Sequence, residues 1–132
     1  MRVILGIGCD RGTPLDTLET AVAQALARAG LGREAVRGLA TIDKKHDEAC
    51  ILTLAARQGW PLQFFSAAEL AQVPVPNPSA TVLKYMGTPA VAEAAALLAA
   101  QAGLDALLVE KHKHRGADGR NATVSIVRAE NE

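Results

Sequence analysis

A short apolar run, Val3–Ile7, gives way within a few residues to apolar positions at helical spacing: Leu15, Leu18, Ala21, Val22, Ala25, Leu26 and Ala29. This switch from a strand-like run to a helical period recurs along the chain and restricts it to layered α/β packing. Thr13 suits an N-cap, Pro14 the first helical position and Asp16 the acidic first turn, and Gly30 closes the helix. A second strand is expected at Val36–Ile42. Asp43 then caps a helix carrying Asp47, Glu48, Ile51, Leu52 and Ala55 that stops near Gly59. Pro61–Phe65 reads as a third strand, and Ser66 with Glu69 forms a capping box for a short helix. The proline-rich stretch 73–79 reads as an ordered surface loop.

Thr88-Pro89 repeats the cap-plus-proline signal ahead of an alanine-rich helix ending at Gly103. Leu104–Val109 is a strand, and the turn Gly116–Gly119 returns into Ala122–Val127, whose alternation suits an antiparallel edge strand. The expected fold is α/β, three-layered, with a mostly parallel sheet, helices on both faces and a C-terminal antiparallel hairpin. One domain spans residues 1–132, with no internal repeat or low-complexity tract.

Composition narrows the function. Fourteen Lys and Arg balance fourteen Asp and Glu, so no global field draws in nucleic acid or an anionic membrane. Aromatic residues at 3% argue against a base-stacking platform, while 49% apolar residues support a real core. No segment approaches the roughly 18–20 apolar residues of a membrane span. Met1–Gly8 reads as a first strand rather than a signal peptide. Cys9 and Cys50 lie in unrelated contexts with no C-x-x-C pair, which fits a reducing cytoplasm. No zinc-type Cys/His spacing exists, so neither a metal nor a cofactor is expected.

Three clusters carry the chemistry. Gly6-Ile7-Gly8-Cys9-Asp10-Arg11-Gly12-Thr13 joins a strand to a helix, where glycines let a ligand approach, free N–H groups point outward and Arg11 offers a fork for carboxylate or phosphate. It is neither a Walker loop nor a G-x-G-x-x-G fingerprint, and a plain tight turn explains its glycines equally well. Cys9 has no histidine beside it in sequence, so it suits a structural or ligand-lining thiol better than a nucleophile. The second cluster, Asp43-Lys44-Lys45-His46-Asp47-Glu48, sits at a strand's carboxyl end, where ligands bind in open α/β sheets. Helix capping accounts for its carboxylates as well. The third is Glu110-Lys111-His112-Lys113-His114-Arg115. On an extended segment Lys111, Lys113 and Arg115 share one face, and His112 and His114 the other. Charges guarding an edge strand are the competing explanation. Together the clusters point to a cationic cleft for a small polycarboxylate.

G-I-G-C-D-R-G-T, I-D-K-K-H-D-E, P-S-A-T-V, E-A-A-A and K-H-K…A-T-V-S-I occur in that order over residues 2–128. The pattern resembles the cobalamin-biosynthesis CobE family, which is similar to the C-terminal domain of CbiG. The resemblance implies a cytoplasmic protein of the corrin pathway. CbiG proteins are associated with opening a ring-A lactone of a cobalt-precorrin and carry additional N-terminal sequence. Two positions depart from the pattern. Asp10 stands where a basic residue is frequent, which weakens the loop as an anion site, and Ser125 replaces the usual alanine, a change expected to have no chemical consequence.

The resemblance implies a precorrin or corrinoid ligand, a macrocycle fringed with carboxylates. The expected ligand-binding residues are Gly8, Cys9, Arg11, Gly12, Thr13, Asp43, Lys44, Ser79, Lys111 and Lys113, with Tyr85 and Met86 as candidate lining. If the chain is catalytic, Glu48 or Glu93 is the expected general base, with Lys44 or Arg11 stabilising negative charge. Alternatives are a nucleotide-binding oxidoreductase, using the glycine loop and Asp43, and a non-catalytic scaffold that binds another pathway enzyme through the 73–79 loop.

Overall fold

Five strands form one mixed sheet in a computed structural model that describes residues 1–88 and 90–129. In chain order the elements are β1 (Val3–Cys9), α1 (Leu15–Arg28), β2 (Val36–Ile42), α2 (Ala49–Gln58), β3 (Leu62–Phe65), α3 (Ala67–Ala71), α4 (Ala80–Met86), α5 (Ala92–Ala100), β4 (Leu107–Arg115) and β5 (Asn121–Arg128). The strand order is β3-β2-β1-β5-β4. β1, β2 and β3 pair in parallel, while β5 pairs antiparallel with both β1 and β4. Four strands therefore point one way and β5 alone points back.

The pleat of β1 divides the core. Val3, Leu5 and Ile7 face α1 and α2, packing with Leu18, Val22, Leu26, Ile51 and Leu54. Ala40 and Ile42 of β2 meet α5 on the opposite face through Ala94 and Ala95, while Ala96 and Leu97 pack against Val127. Small side chains let α5 lie close to the sheet. Gly6 completes that approach, because a Cβ there would run into the backbone carbonyl of Ala92.

Several local signals hold. Val36–Ile42 is a strand over that whole span, and the Ser66–Glu69 capping box forms with both bonds present. Others resolve differently. The Thr13 hydroxyl donates to the Asp10 carbonyl at 2.7 Å instead of capping α1, whose N-cap is Pro14. Asp43 opens a 3-10 turn, Asp43–Lys45, and α2 begins later with Glu48 at its N-cap, so Asp43 and Asp47 cap nothing. β5 is interior to the sheet, and the edge strand of the hairpin is β4. The alanine-rich helix ends at Ala100 with Gln101 in the left-handed region at φ 52°, ahead of the Gly103 stop. Pro89 of the expected cap lies outside the described residues. Among the described residues no helix is long and apolar enough to cross a membrane.

Candidate functional site

α4 has no fully buried residue, and its Leu83 and Tyr85 are exposed; only Val82 and Met86, half-buried, touch the core. It roofs a cavity instead. Both of its ends are pinned. Ser79 Oγ accepts from the Val82 N–H at 3.2 Å, and Lys44 Nζ donates to the Met86 carbonyl at 3.1 Å, with Gly87 in the left-handed region. The preceding proline-rich loop is fastened to β4: Asn77 Nδ2 donates to Glu110 Oε2 at 2.6 Å, and Lys111 Nζ donates to the Asn77 carbonyl at 3.0 Å.

The cavity beneath measures about 310 Å³. Gly8, Cys9 and Asp10 enter it from the carboxyl end of β1, and Lys45 from the turn after β2. Ser79, Val82, Tyr85 and Met86 supply the roof, Glu93 the first turn of α5, and Lys111, Lys113, Asn121 and Thr123 the hairpin. This is the carboxyl edge of the parallel strands, where open α/β sheets place ligands.

Of the residues expected from sequence, Gly8, Cys9, Ser79, Glu93, Lys111 and Lys113 line this space, as do Tyr85 and Met86. Arg11, Gly12, Thr13, Asp43, Lys44 and Glu48 are not among its lining. Arg11, Gly12, Lys44 and Glu48 form a second constellation with Asp47. Arg11 donates to Asp47 Oδ1 at 2.8 Å and to the Lys44 carbonyl at 3.0 Å, and stands 3.2 Å from Glu48 Oε1. The Gly12 N–H donates to Glu48 Oε2 at 3.0 Å. The loop's donors are thus directed at the chain's own carboxylates. The Arg11 hydrogen bond holds the Asp47 carboxyl below its ordinary pKa.

Lys45 was not anticipated; its neighbour Lys44 was. The 3-10 turn points Lys45 inward, leaving it 4% exposed, while Lys44 reaches out to α4. Among the described residues Lys45 makes no hydrogen bond or ion pair, which makes it a buried cation that lines the cavity without a direct partner. Glu93, 2% exposed, has Lys111 Nζ at 3.5 Å from its Oε2, and that oxygen has no hydrogen bond. Sequence alternation did place Lys111 and Lys113 on the cavity side, and His112 opposite, against Gln24 and Arg28 of α1.

The two departures from the family pattern have structural roles. Asp10 Oδ2 accepts from the Asn121 N–H at 2.8 Å, closing β1 onto β5. Buried Ser125 donates its hydroxyl to the Glu110 carbonyl at 2.5 Å, so the expectation that it has no consequence gives way to a bond between β5 and β4. The cysteines also depart from expectation: their sulfurs lie 4.0 Å apart, both as free thiols. The hydrogen bond shared with Cys50, then burial, pushes the Cys9 thiol well up, while that same bond brings Cys50 down.

The family described as Cobalamin synthesis G C-terminus matches residues 3–127. The chain belongs to this family. It is 36% identical over 131 residues to Protein CobE of a Sinorhizobium species, covering 97% of this chain and 84% of that protein. It is also 36% identical over 122 residues to a cobalt-precorrin-5A hydrolase of Priestia megaterium, covering 92% of this chain but only 31% of the hydrolase. The solved structure of CobE, a protein from the cobalamin biosynthetic pathway, superposes with a TM-score of 0.75 at 31% identity, covering 98% of this chain and 93% of that one. Cobalamin biosynthesis protein chiG from Agrobacterium tumefaciens gives a TM-score of 0.67 at 28% identity, covering 98% and 99%. The chain is thus a cobalamin-biosynthesis protein of the CbiG C-terminal family, related to CobE and to one third of the hydrolase.

Proposed function

We propose that the cavity under α4 binds the carboxylated edge of a precorrin or corrinoid intermediate. The chain then acts in the cytoplasm as a carrier of that intermediate, or contributes to a step such as ring-A lactone opening beside another pathway enzyme. The observation that carries this reading is the convergence of Lys45, Lys111 and Lys113, from two separate elements, on a cavity whose roof is Val82, Tyr85 and Met86. Cations lining the cavity match carboxylates, and the apolar roof matches the macrocycle face. At about 310 Å³ the space suits an edge and its side chains rather than a whole macrocycle, leaving the remainder over exposed Tyr85. In a lactone-opening step Glu93 takes a proton from water and Lys45 stabilises the developing negative charge, a reading supported by both lining the cavity.

The test is a titration with corrin-pathway intermediates followed by visible absorption, with mass spectrometry of the recovered ligand. A saturable spectral change at unchanged mass supports a carrier, and a mass change supports catalysis. Silence with every intermediate overturns the reading. Lys113→Ala should weaken binding several-fold and reduce its salt dependence, since an exposed cation contributes a screened attraction.

A further inference from the structure

Beside the cavity, three side chains from two elements and one helix cap meet: Cys9 at the end of β1, Cys50 in the first turn of α2, and Glu48 at that helix's N-cap. Their ligand atoms, two sulfurs and a carboxylate oxygen, all lie within 4.8 Å of one another. We propose that Cys9, Cys50 and Glu48 form a binding site for a thiolate-preferring divalent cation of the zinc class.

The geometry carries the assignment. Zinc–thiolate bonds of about 2.3 Å at tetrahedral angles hold two sulfurs roughly 3.8 Å apart. The observed separation is 4.0 Å, so the sulfur–sulfur distance a tetrahedral site needs is already built into the fold. A disulfide would need the sulfurs at about 2.0 Å. Glu48 supplies a second, independent sign. It is 3% exposed, and its Oε1 is buried without a hydrogen bond, the state of an acceptor with a lone pair to give. Its other oxygen is fixed by the Gly12 N–H at 3.0 Å, and Arg11 stands 3.2 Å from Oε1, so the carboxylate is oriented from outside as metal ligands are.

Charge agrees. Binding releases both thiol protons to solvent, and two thiolates with a carboxylate around a divalent ion leave one net negative charge. Lys45, whose charge acts on Cys9, and Arg11 offset it. Cys9 also lines the cavity, which provides an entry path and leaves the fourth position to water or to a ligand carboxylate. Sequence spacing held no hint of this site, because its two cysteines are 41 positions apart and meet only through parallel pairing of β1 with β2.

The experiment uses the full chain, reduced and stripped with chelator, titrated with Zn²⁺ against a chromophoric competitor, and separately with Co²⁺ to read thiolate charge-transfer absorption. The expected result is one equivalent of tight zinc, with a sulfur-to-cobalt band. Cys50→Ser and Glu48→Gln should each lower zinc affinity, Cys50→Ser by more than about 100-fold, beyond what losing a mere outer partner costs. In the wild-type chain Zn²⁺ should protect Cys9 and Cys50 from alkylation, a readout that survives if Cys50→Ser fails to fold. No zinc uptake by the reduced chain, uptake unchanged in Cys50→Ser, or alkylation unaffected by zinc each overturns the proposal. No corrinoid enters these measurements, so their failure leaves the cavity's ligand untouched, and failure of corrinoid binding leaves the metal site untouched.

Discussion

Lys111 Nζ lies 3.5 Å from Oε2 of Glu93, joining the edge strand β4 to the first turn of α5 across the cavity. Glu93 is almost wholly enclosed, and Lys111 is its one ion-pair partner among the described residues. Removing the cation strands the anion. Lys111→Ala is expected to destabilise the fold by about 2 kcal/mol, and Glu93→Gln combined with Lys111→Met by much less, as measured by urea unfolding. Equal losses in the two variants would show that the pair is not coupled.

Lys45 presents the opposite case. A buried ammonium without a partner opposes folding, so Lys45→Met should raise stability by about 1 kcal/mol or more while weakening corrinoid binding. Thermal unfolding and the absorption titration, run on the same preparation, read both effects. A variant that is less stable than wild type would mean that Lys45 packs usefully in the free protein.

Gly6→Ala should be among the most damaging single substitutions in the sheet. The added methyl meets the Ala92 carbonyl, which is backbone and cannot swing aside. A loss of about 2 kcal/mol or more is expected from denaturant midpoints, together with impaired binding as α5 and Glu93 are pushed outward. Gly8→Ala meets only Thr123 Cβ at 3.8 Å and serves as the mild control.

Acid should loosen the hairpin through His112. Its Nε2 lies 2.7 Å from Gln24 Oε1, and its Nδ1 3.2 Å from the Arg28 guanidinium, a donor that makes Nδ1 the acceptor of a neutral ring. Burial, then the charge of Arg28, then that of His114 hold the His112 pKa below its ordinary 6.5. Below that value the unfolded chain binds a proton that the fold resists, so stability falls as pH drops from 6.5 toward the lower folded-state pKa and levels off beneath it. Melting temperatures between about pH 7 and about pH 5 should decline more steeply for wild type than for His112→Gln. Parallel slopes would remove His112 from the account.

The sequence carried what local physics decides. β2 is legible because an apolar run between a glycine-bearing turn and a charged turn has few alternatives, and the Ser66–Glu69 box because both of its bonds are local. α4 was not legible: it is short, follows three prolines and half-buries only Val82 and Met86, so no apolar period marks it. The choice of Lys44 over Lys45 shows the same limit, since adjacent lysines differ only by the phase of a 3-10 turn. Thr13 and Asp43 carry correct capping chemistry, but the chain spends one on Asp10 and opens a tighter turn at the other. The cationic face of Lys111 and Lys113 was readable from strand alternation alone. Meetings across the sheet, such as Cys9 with Cys50, required the strand order itself.

That strand order sets a timetable. β5 is the last of these five strands in chain order, yet it belongs in the middle of the sheet, between β1 and β4. Until it arrives, β1, made first, has one bare flank, and β4 has no neighbour to hold Lys111 and Lys113 beside the cavity. A nascent chain can therefore assemble its parallel half early but cannot hold a ligand in this cavity before its final strand slots in. The cavity's hairpin wall is thus complete only once all five strands have joined the sheet.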